Sequence, residues 1–318
     1  MTQKISVVIP TRNRRRVLET TLDAMARVRR ATNSVEFIVV DNGSVDDTRN
    51  VVRQFESKLP IRSLWVGPAG KSHALNAALD TEALGDIILF TDDDVTPDES
   101  WFDEVAGVCE RWPNHSVFGG RVDPTWPTGV LPPTWAHDDY VQSFAFARHV
   151  ISDIEREYPK NVTPFGPNYW VRRSAIEGMR FANGLGPHPT KRKLGGETEF
   201  LLRLRAKGFE PVYSPKVRVE HRIESARISK MSLYRRALQL GAGSVYTRFR
   251  PDAGELERAK LSWRLQRAGC LAKSLCQLPL AAASMDENDR VLRIIQQLVK
   301  VGREVETLRY RSDIASMR

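Results

Sequence analysis

Long apolar runs are missing from this chain of 318 residues, and no segment approaches the ~18 uninterrupted apolar residues that a bilayer span requires. The chain opens Met-Thr-Gln-Lys and passes at once into a strand-like run, without the apolar core of a secretory leader. Cysteine is scarce. Cys109, Cys270 and Cys276 are odd in number and lack metal-ligand spacing, so they read as reduced thiols of a cytoplasmic protein. Two glycine signatures are absent as well. No Gly-x-Gly-x-x-Gly follows the first strand, which argues against a dinucleotide site. Gly70-Lys71-Ser72 resembles the end of a P-loop, but the glycine needed five residues earlier falls at Trp65. Acids are outnumbered, 39 against 48 lysines and arginines, and the net charge of +9 favours anionic partners such as nucleotides, phosphates, lipid headgroups or nucleic acid.

What is present has a regular grammar. Ile5 to Ile9 is a short apolar strand ended by Pro10, then Thr11-Arg12-Asn13. From Arg16 to Arg30 the period becomes helical through Leu18, Leu22 and Met25. Val35 to Val40 is a second strand, ending in Asp41-Asn42-Gly43-Ser44; Val51, Val52 and Phe55 mark a helix; Arg62 to Val66 is a third strand. Lys71 to Leu79 is a helix, and Ile87 to Phe90 is a strand that runs into Thr91-Asp92-Asp93-Asp94. Such alternation predicts an α/β domain with a mostly parallel sheet. Ligands of these sheets bind beyond the carboxyl ends of strands, where Thr11–Asn13, Asp41–Ser44 and Asp92–Asp94 all fall.

Three adjacent carboxylates repel one another unless a cation or donors neutralise them, and an all-oxygen cluster suits Mg²⁺ or Mn²⁺. The plainer reading is an acidic turn that caps the next helix. Their place on a shared rim favours the ligand site.

The ordered set Val7-Val8-Ile9-Pro10-Thr11-Arg12-Asn13-Arg14, Ile38 to Ser44 with Asp47-Thr48, Gly70-Lys71 with Ala74-Leu75-Asn76, Thr91 to Asp94, Gly195 to Phe200 with Arg203-Leu204, then Pro215 and Val219-Glu220-His221 resembles the family-2 glycosyltransferases of GT-A fold. The resemblance covers roughly the first 230 residues and is of the kind found in bacterial surface or exopolysaccharide synthesis. It implies a metal-dependent, inverting transfer of sugar from a nucleotide-diphosphate donor, UDP or dTDP, to a glycan or lipid-linked glycan. Pro10, Thr11 and Asn13 fall where such enzymes hold base and ribose, Asp41 or Asn42 where a pyrimidine edge is read, and Lys71 near the diphosphate. Asn76 belongs to the same donor set, or makes a helix-face hydrogen bond to a neighbouring loop. Asp92 and Asp94 match the Asp-x-Asp acids, Asp94 on the metal, with Asp93 a rival ligand; His221 is a metal or diphosphate contact.

The family's usual Glu-Asp pair before the base is missing from Gly195-Gly196-Glu197-Thr198-Glu199-Phe200. Glu197 is expected as the catalytic base at a helix start, with Glu199 the second choice or a partner for Arg203 at i+4. Gly119 to His137, with four prolines, reads as a rigid loop whose Trp126 and Trp135 either stack on sugar or pin it to the body. Asn168 and Trp170 are placed facing the acceptor, and Gly184 to Gly196 as a mobile flap. Residues 1–100 form the nucleotide half, 101–230 the acceptor half, and 231–318 a helical extension. That extension, with Leu256–Leu280 and Asp289–Arg309 as helices, reads either as a peripheral contact with the inner face of an anionic membrane or as packing on the sheet domain or a second subunit. Two other classes stand against the enzyme: a catalytically impaired relative, and a basic nucleic-acid or membrane module. A nucleic-acid module leaves the acidic triplet unexplained, so no nucleic acid is expected. The sequence leaves the oligomeric state open.

Overall fold

Apolar runs become the first strands of a computed structural model that describes residues 3–29, 34–188, 193–248 and 261–316. β1 (Ile5–Thr11) is buried along its whole length, and β2 (Val35–Asp41), β3 (Ile61–Trp65) and β4 (Ile87–Phe90) lie parallel to it in the order β3-β2-β1-β4. β1 runs alongside β2 from Ile5↔Val35 to Thr11↔Asp41 and alongside β4 from Ile5↔Ile87 to Val8↔Phe90. The crossovers are α1 (Arg15–Arg27), α2 (Thr48–Phe55) and α3 (Lys71–Leu79).

The period of two along these strands sorts their side chains into two cores. Val7, Ile9, Phe37, Val39 and Leu89 pack with Leu18, Leu22 and Met25 of α1 and with Val51, Val52 and Phe55 of α2. Val8, Ile38, Val40, Ile88 and Phe90 pack with Ala74, Leu75 and Ala78 of α3. Odd residues of β4 therefore face α1 and even ones face α3.

The sheet continues through β5 (Val95–Pro97), β6 (Val117–Thr125), β7 (Arg156–Glu157), β8 (Tyr169–Arg172) and β9 (Pro211–Arg222), with α4 (Trp101–Arg111), α5 (Asp139–Phe146) and α6 (Gly196–Ala206) between them. β8 enters antiparallel beside both β4 and β6, so the parallel half gives way to a mixed one. The order beyond β4 is β8-β6-β9-β5, with β7 on β9.

One correction concerns Gly119–His137. Its first part is not loop, because Val117–Thr125 is a strand paired with both β8 and β9. Only Pro124 of the four prolines lies within it, near its end, where a missing N–H costs least. Gly120 permits the close approach: a Cβ there would sit 2.1 Å from the Val217 carbonyl oxygen, and the register shifts between Gly120 and Arg121. Trp135 is buried.

The chain divides into two compact units that do not follow a single cut near residue 230. The first holds the sheet (1–127, 146–184 and 197–223). The second gathers 128–145 and 185–196 with 224–318. In the second, α7 (Lys230–Arg248), α8 (Leu261–Ala282) and α9 (Glu287–Ser316) form the body. Residues 256–260 of the expected helix and 189–192 of the expected flap lie outside the described residues. On either side of 189–192 the flap is tied by a Gly186 N–H bond to the Lys193 carbonyl at 2.7 Å.

Candidate active site

The alternation that sorts the two cores continues past Phe90 through Asp92 and Asp93, and the turn at Asp93–Asp94 then brings Asp94 back beside Arg14. Even-numbered Asp92 points to the α3 side, where its Oδ1 lies 2.5 Å from Lys71 Nζ. Odd-numbered Asp93 points to the α1 side, accepts a hydrogen bond from Thr11 Oγ1 at 2.6 Å, and accepts another from Arg14 at 2.8 Å. Thr21 of α1 donates to the Asp93 carbonyl. The other nitrogen of the Arg14 fork reaches Asp94 at 3.0 Å. Burial pushes the Asp93 carboxyl up to about 7; Arg14 opposes that rise and Asp94 adds to it.

Glu197 opens α6, which starts at Gly196, and its Oε1 sits 2.5 Å from the same Lys71 Nζ. One ammonium thus holds Asp92 from the strand end and Glu197 from the helix start. Burial opposes the lysine's charge, but the carboxylates of Asp92 and Glu197 outweigh it and raise Lys71 above the ordinary lysine range. Gly166 makes room for this arrangement, since a Cβ there would approach Glu197 Oε1 to 2.9 Å. Glu199 is buried and receives a two-pronged bond from Arg203, each prong 2.9 Å, which binds it within its own helix.

β5 lies antiparallel on β9 with Val95 opposite His221, and this register brings His221 beside Asp94. Its Nε2 is 3.3 Å from Asp94 Oδ1, while Nδ1–H donates to the Phe146 carbonyl at 3.1 Å. In the neutral ring that bond leaves the Nε2 lone pair facing a carboxylate oxygen, so two electron-pair donors share one point. Among the described residues no group of three His, Cys, Asp or Glu side chains is set to hold a metal. An Asp–His pair nevertheless fits a hard divalent ion that takes its remaining ligands from phosphate oxygens and water.

The loops after β1, β2 and β3 are sewn together. Asn13 adopts φ 51°, accepts from the Val45 N–H at 2.8 Å, and donates its own N–H to Ser44 Oγ at 2.8 Å. Asp41 accepts from the Ser44 N–H at 2.8 Å and from Arg49 Nε at 3.3 Å. Asn42 accepts from the Gly70 N–H at 2.7 Å and donates to the Pro68 carbonyl at 2.7 Å, which shapes the turn before Lys71. Pro10 is buried in β1.

Three expected contacts lie elsewhere. Asn76 uses both ends of its amide on the Phe181 backbone, at 3.0 and 2.8 Å, so its role is to hold that loop. Asn168 is wholly buried: it donates to the carbonyls of Arg121 and Val217 at 2.9 and 2.8 Å and accepts from Trp101 Nε1 at 3.1 Å. Trp170 is equally buried and stacks on Phe118 with ring centres 5.5 Å apart. Both face the core, which corrects their placement toward an acceptor; strand periodicity turns them inward. Trp126 packs edge-on against Phe146 and keeps part of its surface in solvent.

Four residues of the site escape sequence reasoning about single roles. Arg14 was visible only as part of a motif, Thr21 as one more residue of a helix, and Arg222 as part of a basic stretch. Arg222 is half-buried beneath the triplet and bonds to the Val95 carbonyl, Thr96 Oγ1 at 2.7 Å and Thr21. Tyr169 is fully buried; burial, with Glu197 and Asp92 nearby, raises its phenol far above the ordinary range.

Comparison with known proteins identifies the family and the fold. The model of the family "Glycosyl transferase family 2" matches residues 6–179. The glycosyltransferase AglE of Haloferax volcanii is 26% identical over 212 residues, covering 66% of this chain and 64% of that protein. The O-antigen biosynthesis protein RfbC of Myxococcus xanthus is 26% identical over 236 residues, covering 71% of this chain but 18% of its own length. The match therefore spans less than two thirds of either relative. Among solved structures, the mannosyltransferase PcManGT of Pyrobaculum calidifontis, in complex with GDP-Man and Mn²⁺, aligns over 100% of this chain and 87% of its own with a TM-score of 0.57 at 18% identity. TarS of Staphylococcus aureus, residues 1–349, aligns over 98% and 92% with a TM-score of 0.54 at 15% identity. At these identities the structures establish the GT-A fold, and the family match over more than half of the chain establishes the rest: this chain belongs to glycosyl transferase family 2.

Proposed function

We propose that the chain transfers a sugar, with inversion, from a nucleoside-diphosphate donor to a hydroxyl of a glycan or lipid-linked glycan. The observation that carries this reading is the shared ammonium: Lys71 lies 2.5 Å from Asp92 and 2.5 Å from Glu197. It joins the donor-side carboxylate and the base-side carboxylate at one place.

Glu197 is the base. The neighbouring ammonium and the start of α6 both favour its carboxylate form, ready to accept a proton. As the acceptor oxygen attacks the anomeric carbon, its proton passes to a Glu197 carboxylate oxygen. The bond between that carbon and the diphosphate oxygen breaks, and the diphosphate leaves with the electron pair from the opposite face. Asp94 and His221 are the residues that would hold a divalent ion, and such an ion, when bound, supplies positive charge against the leaving diphosphate. Lys71 adds its own charge on the donor side. Asp41 is fixed by Ser44 and Arg49 at the end of β2, and reads the base; a pyrimidine, as UDP or dTDP, is the proposed donor nucleotide.

The test is a panel of UDP-, dTDP- and GDP-sugars measured by thermal shift with and without Mn²⁺, since a ligand that binds only the folded state raises its melting temperature. The expected result is stabilisation by one pyrimidine-diphosphate sugar that depends on Mn²⁺. No stabilisation by any member, with the protein folded, would overturn the reading.

A further inference from the structure

No described helix is long and apolar enough to cross a membrane, and in the second unit α7 gives one face to a loop. Gln239, Gly243, Tyr246 and Thr247 fall at i, i+4, i+7 and i+8, so they line one side of that helix. This side receives residues 193–196. The Leu194 N–H donates to the Gln239 carbonyl at 3.3 Å. The Leu194 carbonyl lies in the notch left by Gly243, where a Cβ would sit 1.6 Å from its oxygen. Gly195, at φ 111°, turns the chain there, and a Cβ on it would lie 3.1 Å from Thr247 Cγ2.

The side chain of Lys193 closes the attachment. Its Nζ is 2.6 Å from Glu306 Oε1 and donates to the Tyr246 hydroxyl oxygen at 2.6 Å. Tyr246 in turn donates to the same Glu306 oxygen at 2.6 Å. Glu306 is buried, where a carboxylate stays charged only with a cation and donors beside it. It belongs to α9, and α9 is seated on α7 at close range. A Cβ on Gly241 would meet the Val299 carbonyl oxygen at 2.1 Å, and one on Gly302 the Leu238 carbonyl oxygen at 2.2 Å. The loop is thus bound to two helices that are themselves locked together. Gly196, the end of the anchored stretch, is the first residue of α6, and Glu197 is the second.

We propose that Lys193, Tyr246 and Glu306 are positioning residues for the base: α7 and α9 fix residues 193–196, and with them the backbone from which Glu197 projects. This rests on the reading of Glu197 as the base. A general base works only within hydrogen-bond reach of its proton, and a misplacement of about 1 Å costs a rate factor on the order of 10².

The full chain is compared with Lys193→Met, Lys193→Arg and Glu306→Gln by two measurements. One is amide hydrogen exchange; the other is release of nucleoside diphosphate, with water as acceptor, from the UDP-, dTDP- and GDP-sugars of the panel. Lys193→Met and Glu306→Gln should speed exchange across residues 193–200 by about tenfold or more and leave β1 at the parent rate. In both, kcat should fall by about tenfold to 10²-fold with the donor KM unchanged. Lys193→Arg, which keeps the charge, should stay close to the parent. Arg293→Gln opens an exposed ion pair with Asp289 elsewhere on α9 and should change neither readout. Circular dichroism checks folding; if Glu306→Gln does not fold, Lys193→Met, on the loop side, decides. Exchange or kcat equal to the parent's in folded Lys193→Met would overturn the proposal. So would a raised KM at unchanged kcat, which would assign the three side chains to donor binding. A parent that turns over no sugar of the panel removes the sugar-transfer reading and this assignment together; equal turnover by parent and variants removes this assignment alone.

Discussion

Both halves of the sheet bury polar groups, but they commit them differently. At the end of β4 the carboxylates of Asp92, Asp93 and Asp94 are held by Lys71, Arg14 and Thr11, which are side chains from neighbouring strand ends and helix starts. In the half built from β6, β8 and β9, Asn168 is locked by two backbone carbonyls and an indole, and His149 lies against Tyr158 and Phe165. The first arrangement pairs charged side chains with one another, and a diphosphate and a cation are able to exchange such partners. The second satisfies polar atoms permanently within the fold. Replacing residues of the first set should therefore change chemistry and spare stability, and the second set should do the reverse.

The largest expected effect is at Glu197. Glu197→Gln removes the proton acceptor and keeps the shape, so transfer should fall by about 10²–10⁴-fold. Donor affinity, read by calorimetry, and the melting temperature should stay as they are. Loss of donor affinity together with folding would move Glu197 out of the chemical set. Asp94→Ala comes next. Its effect should appear in nucleotide binding measured with and without Mn²⁺, and it should weaken only the metal-dependent part. The change should be at least the ~10–100-fold that loss of an outer-sphere partner costs a metal site. Equal titrations with and without Mn²⁺ in both proteins would break the assignment of Asp94 to the cation.

Much of the first set is legible in the sequence, and the reason is local. Three strands, β1, β2 and β4, are buried nearly along their whole length and read as apolar runs, and each leads into its polar rim residue: Thr11, Asp41 and Asp92. The pairing of Glu199 with Arg203 follows from i,i+4 spacing. The second set is not legible in this way. Asn168 looks polar and therefore exposed, yet its burial is decided by β9, some fifty residues on, and by the Gly120 bulge that lets β9 approach. Strand β6 hides behind prolines that lie at or beyond its end. Arg14 through its side chain and Arg222 through its backbone N–H to the Asp94 carbonyl meet the triplet across about 80 and 130 residues of chain, and no periodicity encodes such distances.

Asn168→Ala tests the second set directly. It leaves the Trp101 indole N–H and the carbonyls of Arg121 and Val217 without their partner, at roughly 1–3 kcal/mol for each buried group orphaned. The denaturation midpoint should fall while donor affinity at a temperature where the variant is folded stays unchanged. A variant of normal stability with weakened acceptor use would return Asn168 to the acceptor side and erase the distinction.

The smallest effect, and the one that separates the halves by pH, concerns His149. Its ring is buried, 4.2 Å from the centre of Phe165, with one nitrogen 2.9 Å from the Tyr158 hydroxyl oxygen. Burial penalises the charged ring and lowers its pKa from 6.5 to about 3 in the folded chain. An unfolded chain takes up the proton near 6.5 and the folded one does not until about 3, so His149 contributes stability that is full above 6.5 and is lost as pH falls toward 3. His149→Phe keeps the stacking surface and removes the titration. The parent should lose more unfolding free energy than the variant between neutral pH and about pH 4, measured by urea titration at each pH. Equal losses would mean that the ring is already hydrated or charged, and that this half of the sheet also holds polar groups it is able to exchange.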